Sequence, residues 1–358
     1  MSDQWVEMDP ENSKPTVGSH EPNSETTSLE SAIYRGEIEN DRRYQTLRQG
    51  DYWGPSDQKQ FESQEIGHIL CELLDSDTVN SLFQAPVDDP KQILDIGTGK
   101  GTWAVDVADR YPNATIRGVD LFPPPTEWVP QNCLFEVDDL LLDWTWREPF
   151  DLIHLRFMIA AWTPEQWDVV YKRCYDHTTP GGWIEQVEVN PRIMCDDDSL
   201  PLNASIRNLI RATTAASKKW NRHLDTSDTM RDSIDKAGFI DIQEKSYRWP
   251  IGPWIDDTPL KEAGHLHRYQ WLSGMEGWVM RFLTQWGVPE PWSKEEVDVL
   301  LGKVREELKN SRYHMYQNAR RVWARKPTDA DKALRETEII TSKDIHPQQP
   351  SSQSWWWS

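Results

Sequence analysis

The chain has 358 residues, enough to bury one large core or two small ones. Its 39 basic and 59 acidic side chains give a formal charge of −20, a field that repels phosphate backbones and argues against direct nucleic-acid binding. Hydrophobic residues make up 37% and mean hydropathy is −0.74, with no run of about 18 apolar residues that would mark a membrane span.

The acidic N-terminus "MSDQWVEMDPENSKP" has no apolar stretch of the kind a secretory signal needs. Residues 1–33 are rich in Ser, Thr, Pro, Asn and Glu and are expected to be a disordered tail, as are residues 328–358 at the other end. Cys71, Cys133, Cys174 and Cys195 are far apart and form no C-x-x-C pair. That spacing suits neither a zinc site nor a disulfide framework, so no metal is expected and a reduced compartment is, cytoplasmic or nuclear.

Residues 34–90 read as an N-terminal helical segment, because "FESQEIGHILCELL" sets Ile66, Ile69, Leu70, Leu73 and Leu74 at helical spacing. From residue 91 the pattern alternates. "KQILDIG" is a short apolar strand, and Trp103, Ala104, Val107, Ala108 and Tyr111 give a helix face stopped by Pro112. "ATIRGVDL", "CLFEVDDL" and "FDLIHLRFM" read as the next three strands. Thr163 to Gln166 form a capping box with proline at the first helical position, and "PGGW" turns into a fifth strand, "WIEQVEV". Helical insertions are expected at 196–225 and 252–310, the latter ending in a helix that starts at a second capping box, Ser293 to Glu296. Between them lie a helix closed by Gly238 and a sixth strand, "IDIQEKSYRW"; "YHMYQNARRVWARKP" closes the domain as an antiparallel strand. The expected fold is α/β: a Rossmann-like, doubly wound, mostly parallel seven-stranded sheet over 91–327, with helical caps.

"ILDIGTGKG" places Gly97, Gly99 and Gly101 behind the first strand, at the ligand-binding edge of such a sheet. Bare backbone there lets N–H groups approach a ligand, and the next helix offers its positive end. A dinucleotide site wants G-x-G-x-x-G/A, but the sixth position here is Thr102, and Asp95 would oppose a pyrophosphate. An NAD-dependent oxidoreductase is therefore disfavoured. Asp95 suits an ammonium or sulfonium centre, Asp120 can accept from both ribose hydroxyls, and Asp138 and Asp139 can accept from an adenine amino group. One carboxylate at each successive strand end describes S-adenosylmethionine laid across the sheet edge.

On these residues the chain resembles class I S-adenosylmethionine-dependent methyltransferases, and more narrowly the fungal LaeA-like methyltransferases of secondary metabolism. The likeness runs from "RRYQTLRQGDYWGPSDQ" through "LDIGTGKGTWAVDVADRYPNATIRGVDLFP" to "HMYQNARRVWARKP", about residues 34–327. It implies that Asp95, Gly97, Thr98, Gly99 and Gly101 surround the amino-acid end of the cofactor. It also implies that Asp120, followed by Leu121, holds the ribose, that Asp138 and Asp139 face adenine, and that His154 to Phe157 lie near the methyl group. One departure stands at "WGPSDQ": the family shows leucine-proline-asparagine-aspartate-glutamate, whereas this chain keeps Pro55 and Asp57 but has Gln58 for the acid.

Methyl transfer needs positioning above all, and a base only where the nucleophile carries a proton. His154 is the candidate for proton transfer, with a packing histidine as the alternative reading. Arg156 either contacts the cofactor or pairs with an acid. Glu188, nearer the strand's carboxyl end than Glu185, is the better substrate-side candidate, with a structural carboxylate as the alternative. Trp249, Trp254, Trp271, Trp278, Trp286 and Trp292, with His265 and His267, either cap an aromatic or apolar substrate or form the core of the cap itself. Tyr44 and Tyr52 are candidates to close over the cofactor. The expected activity is methylation of a small molecule, at an oxygen nucleophile; the alternative is a nuclear regulator acting through protein partners.

Overall fold

A computed structural model describes residues 35–334, apart from 49, 75–80 and 127. The expected tail 1–33 and residues 335–358 of the expected tail 328–358 lie outside the described residues. Residues 328–334 do not form the loose tail that their composition suggests: 329–334 are helical, Thr328 Oγ1 accepts from Asp331 N, and Asp331 pairs with Arg325 at 2.8 Å.

The segment read as helical opens instead with a hairpin, β1 (Glu37–Glu39) and β2 (Arg42–Tyr44). Asn40 and Asp41 turn it with φ of 50° and 64°, the left-handed pair that a two-residue hairpin loop requires. An extended strap follows and leads into α1 (Gln58–Leu74). Asp57 ties strap to helix: its carboxylate takes two hydrogen bonds from Arg42, at 2.7 and 2.9 Å, and caps the helix through Gln60 N.

The main sheet holds β3 (Gln92–Ile96), β4 (Thr115–Asp120), β5 (Cys133–Val137), β6 (Phe150–Arg156), β7 (Thr178–Val189), β8 (Ile240–Ile251) and β9 (Met315–Arg325). Its spatial order is β5-β4-β3-β6-β7-β9-β8. All pairs up to β7 are parallel, and β9 runs antiparallel to both neighbours. The central strands are apolar on both faces, with Ile93, Leu94, Leu152 and Ile153 fully buried, as a sheet sandwiched between helices demands. The flanking helices include α2 (Thr102–Arg110), α3 (Pro164–His177) and α5 (Thr226–Ala237). Chain order reverses between β3 and β6, so the carboxyl ends of these strands frame the crevice where such sheets bind ligands.

A second core lies in the cap. Helices α4 (Ser205–Lys219), α6 (Thr258–Trp286) and α7 (Lys294–Lys309) bury Leu209, Met275, Met280, Leu283, Val297 and Leu301 together. Both capping boxes form as the sequence suggests, at Thr163/Gln166 and Ser293/Glu296. The strap is fastened to the cap by Arg281 of α6, which donates to Glu39 at 2.6 Å and to Tyr52 O at 3.0 Å. Strap, cap and sheet edge thereby meet over one region.

Candidate active site

Two cavities adjoin at that region. The first lies over the loop between β3 and α2. Gly97 and Gly99 line it with φ of +70° and +56°, a backbone that side chains resist. A Cβ on Gly97 would come 2.2 Å from Met158 Sδ, and one on Gly99 2.6 Å from Gln64 Oε1. Gly101 caps α2 with φ of 86° but is not in the lining; a Cβ there would strike the Phe135 ring at 2.5 Å. Its requirement for glycine is packing.

Each carboxylate does something definite. Asp120 Oδ2 accepts from Gly99 N at 2.8 Å and Oδ1 from Leu121 N at 2.7 Å, which ties the end of β4 to the glycine loop. Burial pushes its carboxyl up to about 6, against those hydrogen bonds. Asp139 accepts from Leu141 N and pairs at 3.3 Å with Arg48 of the strap, while Asp138 accepts from Asp139 N. Asp95, Thr98, Leu121, Asp138, Asp139 and Arg156 all line this cavity, as do Gly97, Gly99 and Asp120. Its acidic side chains, Glu65 included, outnumber Lys100 and Arg156, so the cavity suits a cationic ligand and opposes a pyrophosphate. A glycine-built cradle and an acidic wall fit a sulfonium nucleoside amino acid.

His154 requires a correction. Neighbouring strands pair Asp95 with His154, so the two side chains emerge on one face beneath the glycine loop. His154 Nδ1 donates to Asp95 Oδ1 at 2.9 Å, its ring stacks on Trp103 at 3.7 Å, and only 1% of it is exposed. Burial lowers its basicity. Thr98 Oγ1 donates to the other oxygen of Asp95 at 2.7 Å, so Asp95 and His154 act as a clamp under the loop, and His154 is not in the lining.

Glu188 is likewise not in the lining of either cavity. Its Oε1 accepts from Met158 N at 3.0 Å and from Gln186 Nε2 at 2.9 Å, and burial pushes its carboxyl up to about 7. It pins the turn after β6, where Phe157 and Ala160 take left-handed φ of 58° and 56°. Such backbone is costly for residues with side chains and persists only when held. Glu185 is held by Arg321 and accepts from Gln84 N and Ala85 N.

Arg156 Nη2 donates to His68 Nδ1 at 2.9 Å, which leaves the single ring proton on Nε2, donated to Asp106 at 2.7 Å. His68, Glu72 and Asp106 are close enough together to hold a metal, but this tautomer leaves no ring lone pair for one.

The second cavity lies between the strap, α1 and α6. Trp53, Trp249, Trp271, Trp278, Phe157 and Phe282 supply its aromatic walls. Among the described residues its lining holds no Asp, Glu, Lys or Arg. His267 lines it with Nδ1 donating to Pro250 O at 3.1 Å, and burial pushes its pKa down to about 4, so the ring is neutral at pH 7. The other tryptophans named from sequence do not reach it: Trp254 donates to Met315 O, and Trp286 and Trp292 pack against the cap core. Tyr44 does not reach the cavities either; it is buried under the Arg281 guanidinium, 3.7 Å from its ring centre.

Tyr52, Gln64 and Phe157 line both cavities and form their junction. Burial raises the Tyr52 phenol above its ordinary pKa, so it stays protonated. Gln60, Gln64 and His68 stand one helical turn apart on α1 and lie respectively against the aromatic cavity, the junction and the glycine-built cavity. Sequence reasoning missed this stripe, although polar residues at i, i+4 and i+8 beside Ile66 and Leu70 were its visible sign.

Comparison with known proteins gives this geometry a family. A methyltransferase-domain family matches residues 67–244. The chain is 35% identical over 307 residues to the methyltransferase pytC of Aspergillus terreus, covering 85% of this chain and 92% of that protein. It is 34% identical to the secondary metabolism regulator LAE1 of Cochliobolus heterostrophus, over 81% of this chain and 94% of that one. Against the protein-methionine methyltransferase laeA of Emericella nidulans the identity is 32%, over 81% and 76%. The chain belongs to the class I S-adenosylmethionine-dependent methyltransferases, in the group that holds pytC and the LaeA-type proteins.

Proposed function

We propose that the chain methylates a neutral, aromatic or largely apolar small molecule in fungal secondary metabolism, at an oxygen. The observation that carries this reading is the uncharged aromatic cavity that shares Tyr52, Gln64 and Phe157 with the glycine-built one. Burying a charged acceptor against tryptophan walls without a counter-ion would be strongly unfavourable, so a neutral ring system is favoured. When bound, the cofactor supplies a methyl group already activated by a positive sulfur. Asp120 and the glycine loop border its nucleoside and amino-acid ends, Asp138 and Asp139 border the base, and the strap borders the junction through Tyr52. Among the described residues no strong base lines the aromatic cavity, so the proton released from the hydroxyl on methyl transfer passes to solvent water and catalysis rests on orientation.

The experiment is to incubate the purified protein with methyl-labelled cofactor and small-molecule extracts of fungal cultures. Label is expected in a neutral, organic-extractable aromatic fraction. Label confined to protein would sink the reading and favour the second one, a nuclear regulator that methylates protein. That second reading is supported by the 81% of the chain that aligns with LAE1 and with laeA. It expects a tagged chain to concentrate in nuclei, whereas the first expects it in the cytoplasm.

A further inference from the structure

Gln64 is the polar group at the junction that the family likeness does not explain. Its Oε1 is buried with no hydrogen-bond partner among the described residues. Such an oxygen is rare in a folded protein and calls for a missing partner. The carboxamide lies against the glycine loop, where a Cβ on Gly99 would come 2.6 Å from Oε1 and 3.6 Å from Nε2. The same side chain lines the aromatic cavity.

Gln60 Oε1 also lacks a partner among the described residues, but Gln60 lines the aromatic cavity alone and does not reach the junction; two further carboxamides of that cavity are committed elsewhere. Gln270 Nε2 donates to Ser63 O, and Gln317 takes the Trp271 indole N–H while donating to Asn190 O. Phe157 brings no hydrogen-bonding side chain. An uncharged carboxamide in this place can accept a proton-bearing group without drawing a charge into the aromatic cavity.

Building on the reading of the aromatic cavity as the acceptor site, we propose that Gln64 positions the methyl acceptor by accepting a hydrogen bond from it. The acceptor is therefore a hydroxyl group on a neutral aromatic molecule. Gln64 is a positioning residue: it aims the acceptor and removes no proton.

The test is calorimetric and needs no turnover. Protein saturated with S-adenosylhomocysteine is titrated with 2-naphthol and with 2-methoxynaphthalene, which differ in the hydrogen that Gln64 would receive. The parent is expected to prefer the naphthol about tenfold, the effect of one net hydrogen bond. Gln64→Leu should lose that preference, keep its affinity for 2-methoxynaphthalene, and bind S-adenosylhomocysteine within about threefold of the parent. An unchanged preference in Gln64→Leu would overturn the proposal. So would a collapse of homocysteine-nucleoside binding with the preference intact, which would assign the amide to the cofactor alone. If neither naphthalene binds the parent, the aromatic cavity is not an acceptor site, and that reading falls together with this one.

Discussion

The two cavities are built by opposite means. One is made of backbone and carboxylates: glycines with positive φ, a loop stitched to Asp120, and a wall of acids. The other is made of side-chain rings, with no acid or base at full charge among its described lining. A cofactor common to many enzymes is held through groups whose positions the fold dictates. On the proposed reading, the acceptor meets side chains brought together by the strap, the cap and the sheet edge. The first cavity is therefore sensitive to small changes in backbone, and the second to loss of ring surface.

The comparison would break most visibly at Gly99. Gly99→Val puts a branched side chain at φ of +56° and drives it into Gln64. The cost is about 3 kcal/mol or more, so affinity for S-adenosylhomocysteine should fall at least about a hundredfold. Binding of an aromatic probe should change only a few-fold. Equal losses at both ligands would show that the cavities are one cooperative unit.

Glu188 probes the wall between them. Its carboxyl sits at about 7 in the folded protein against an ordinary value of 4.5. The folded state thus holds its proton more tightly than the unfolded state. The associated stability is present in full below about 4.5 and is lost as pH rises through about 7, a change of up to about 3 kcal/mol. Glu188→Gln removes that titration while keeping an acceptor for Met158 N. Thermal unfolding should show the variant gaining on the parent between pH 5 and pH 8. A parallel pair of pH curves would mean that the carboxyl titrates in the ordinary range.

How much of this was legible in the sequence differs between the cavities for a physical reason. The strands, the glycine loop and the strand-end aspartates follow from local patterns: a short apolar run, a turn that needs bare backbone, a capping box. Tyr52, Gln64 and Phe157 owe their places to contacts between segments far apart in the chain, which periodicity does not record. His154 shows the limit most clearly. Strand alternation put it on one face but did not say which, and the structure turned it under Trp103. The tryptophans divided for the same reason, because indole rings serve equally well in a cap core and in a cavity wall.

Asp120 offers a gentler test, confined to the glycine-built cavity. Ribose hydroxyls would donate to its ionised form, while burial has pushed the free carboxyl up to about 6. Binding therefore selects the deprotonated protein. Affinity for S-adenosylhomocysteine should be flat above neutrality and fall toward tenfold per unit as pH drops below about 6. Asp120→Asn should bind more weakly at pH 8 and lose the slope. Aromatic-probe affinity should not follow that curve, since of the titratable rings in its described lining His267 is neutral down to about 4 and the Tyr52 phenol stays protonated.

The smallest expected effect lies at Trp278. It is partly buried against the cap core and meets Trp271 edge to face, with ring centres 5.2 Å apart. Trp271 is 3% exposed and its N–H is bonded to Gln317, so truncating it would cost folding stability and confuse the measurement. Trp278→Ala removes ring surface from the cavity with less disturbance of the core. Losing one side of an aromatic stack is worth about 1 kcal/mol, so aromatic-probe affinity should fall roughly five- to tenfold. Binding of S-adenosylhomocysteine should stay within about twofold, because Trp278 is absent from the lining of that cavity. If the probe binds Trp278→Ala as tightly as the parent, that ring belongs to the cap's own packing, and acceptor recognition rests on Trp53, Trp249 and the junction.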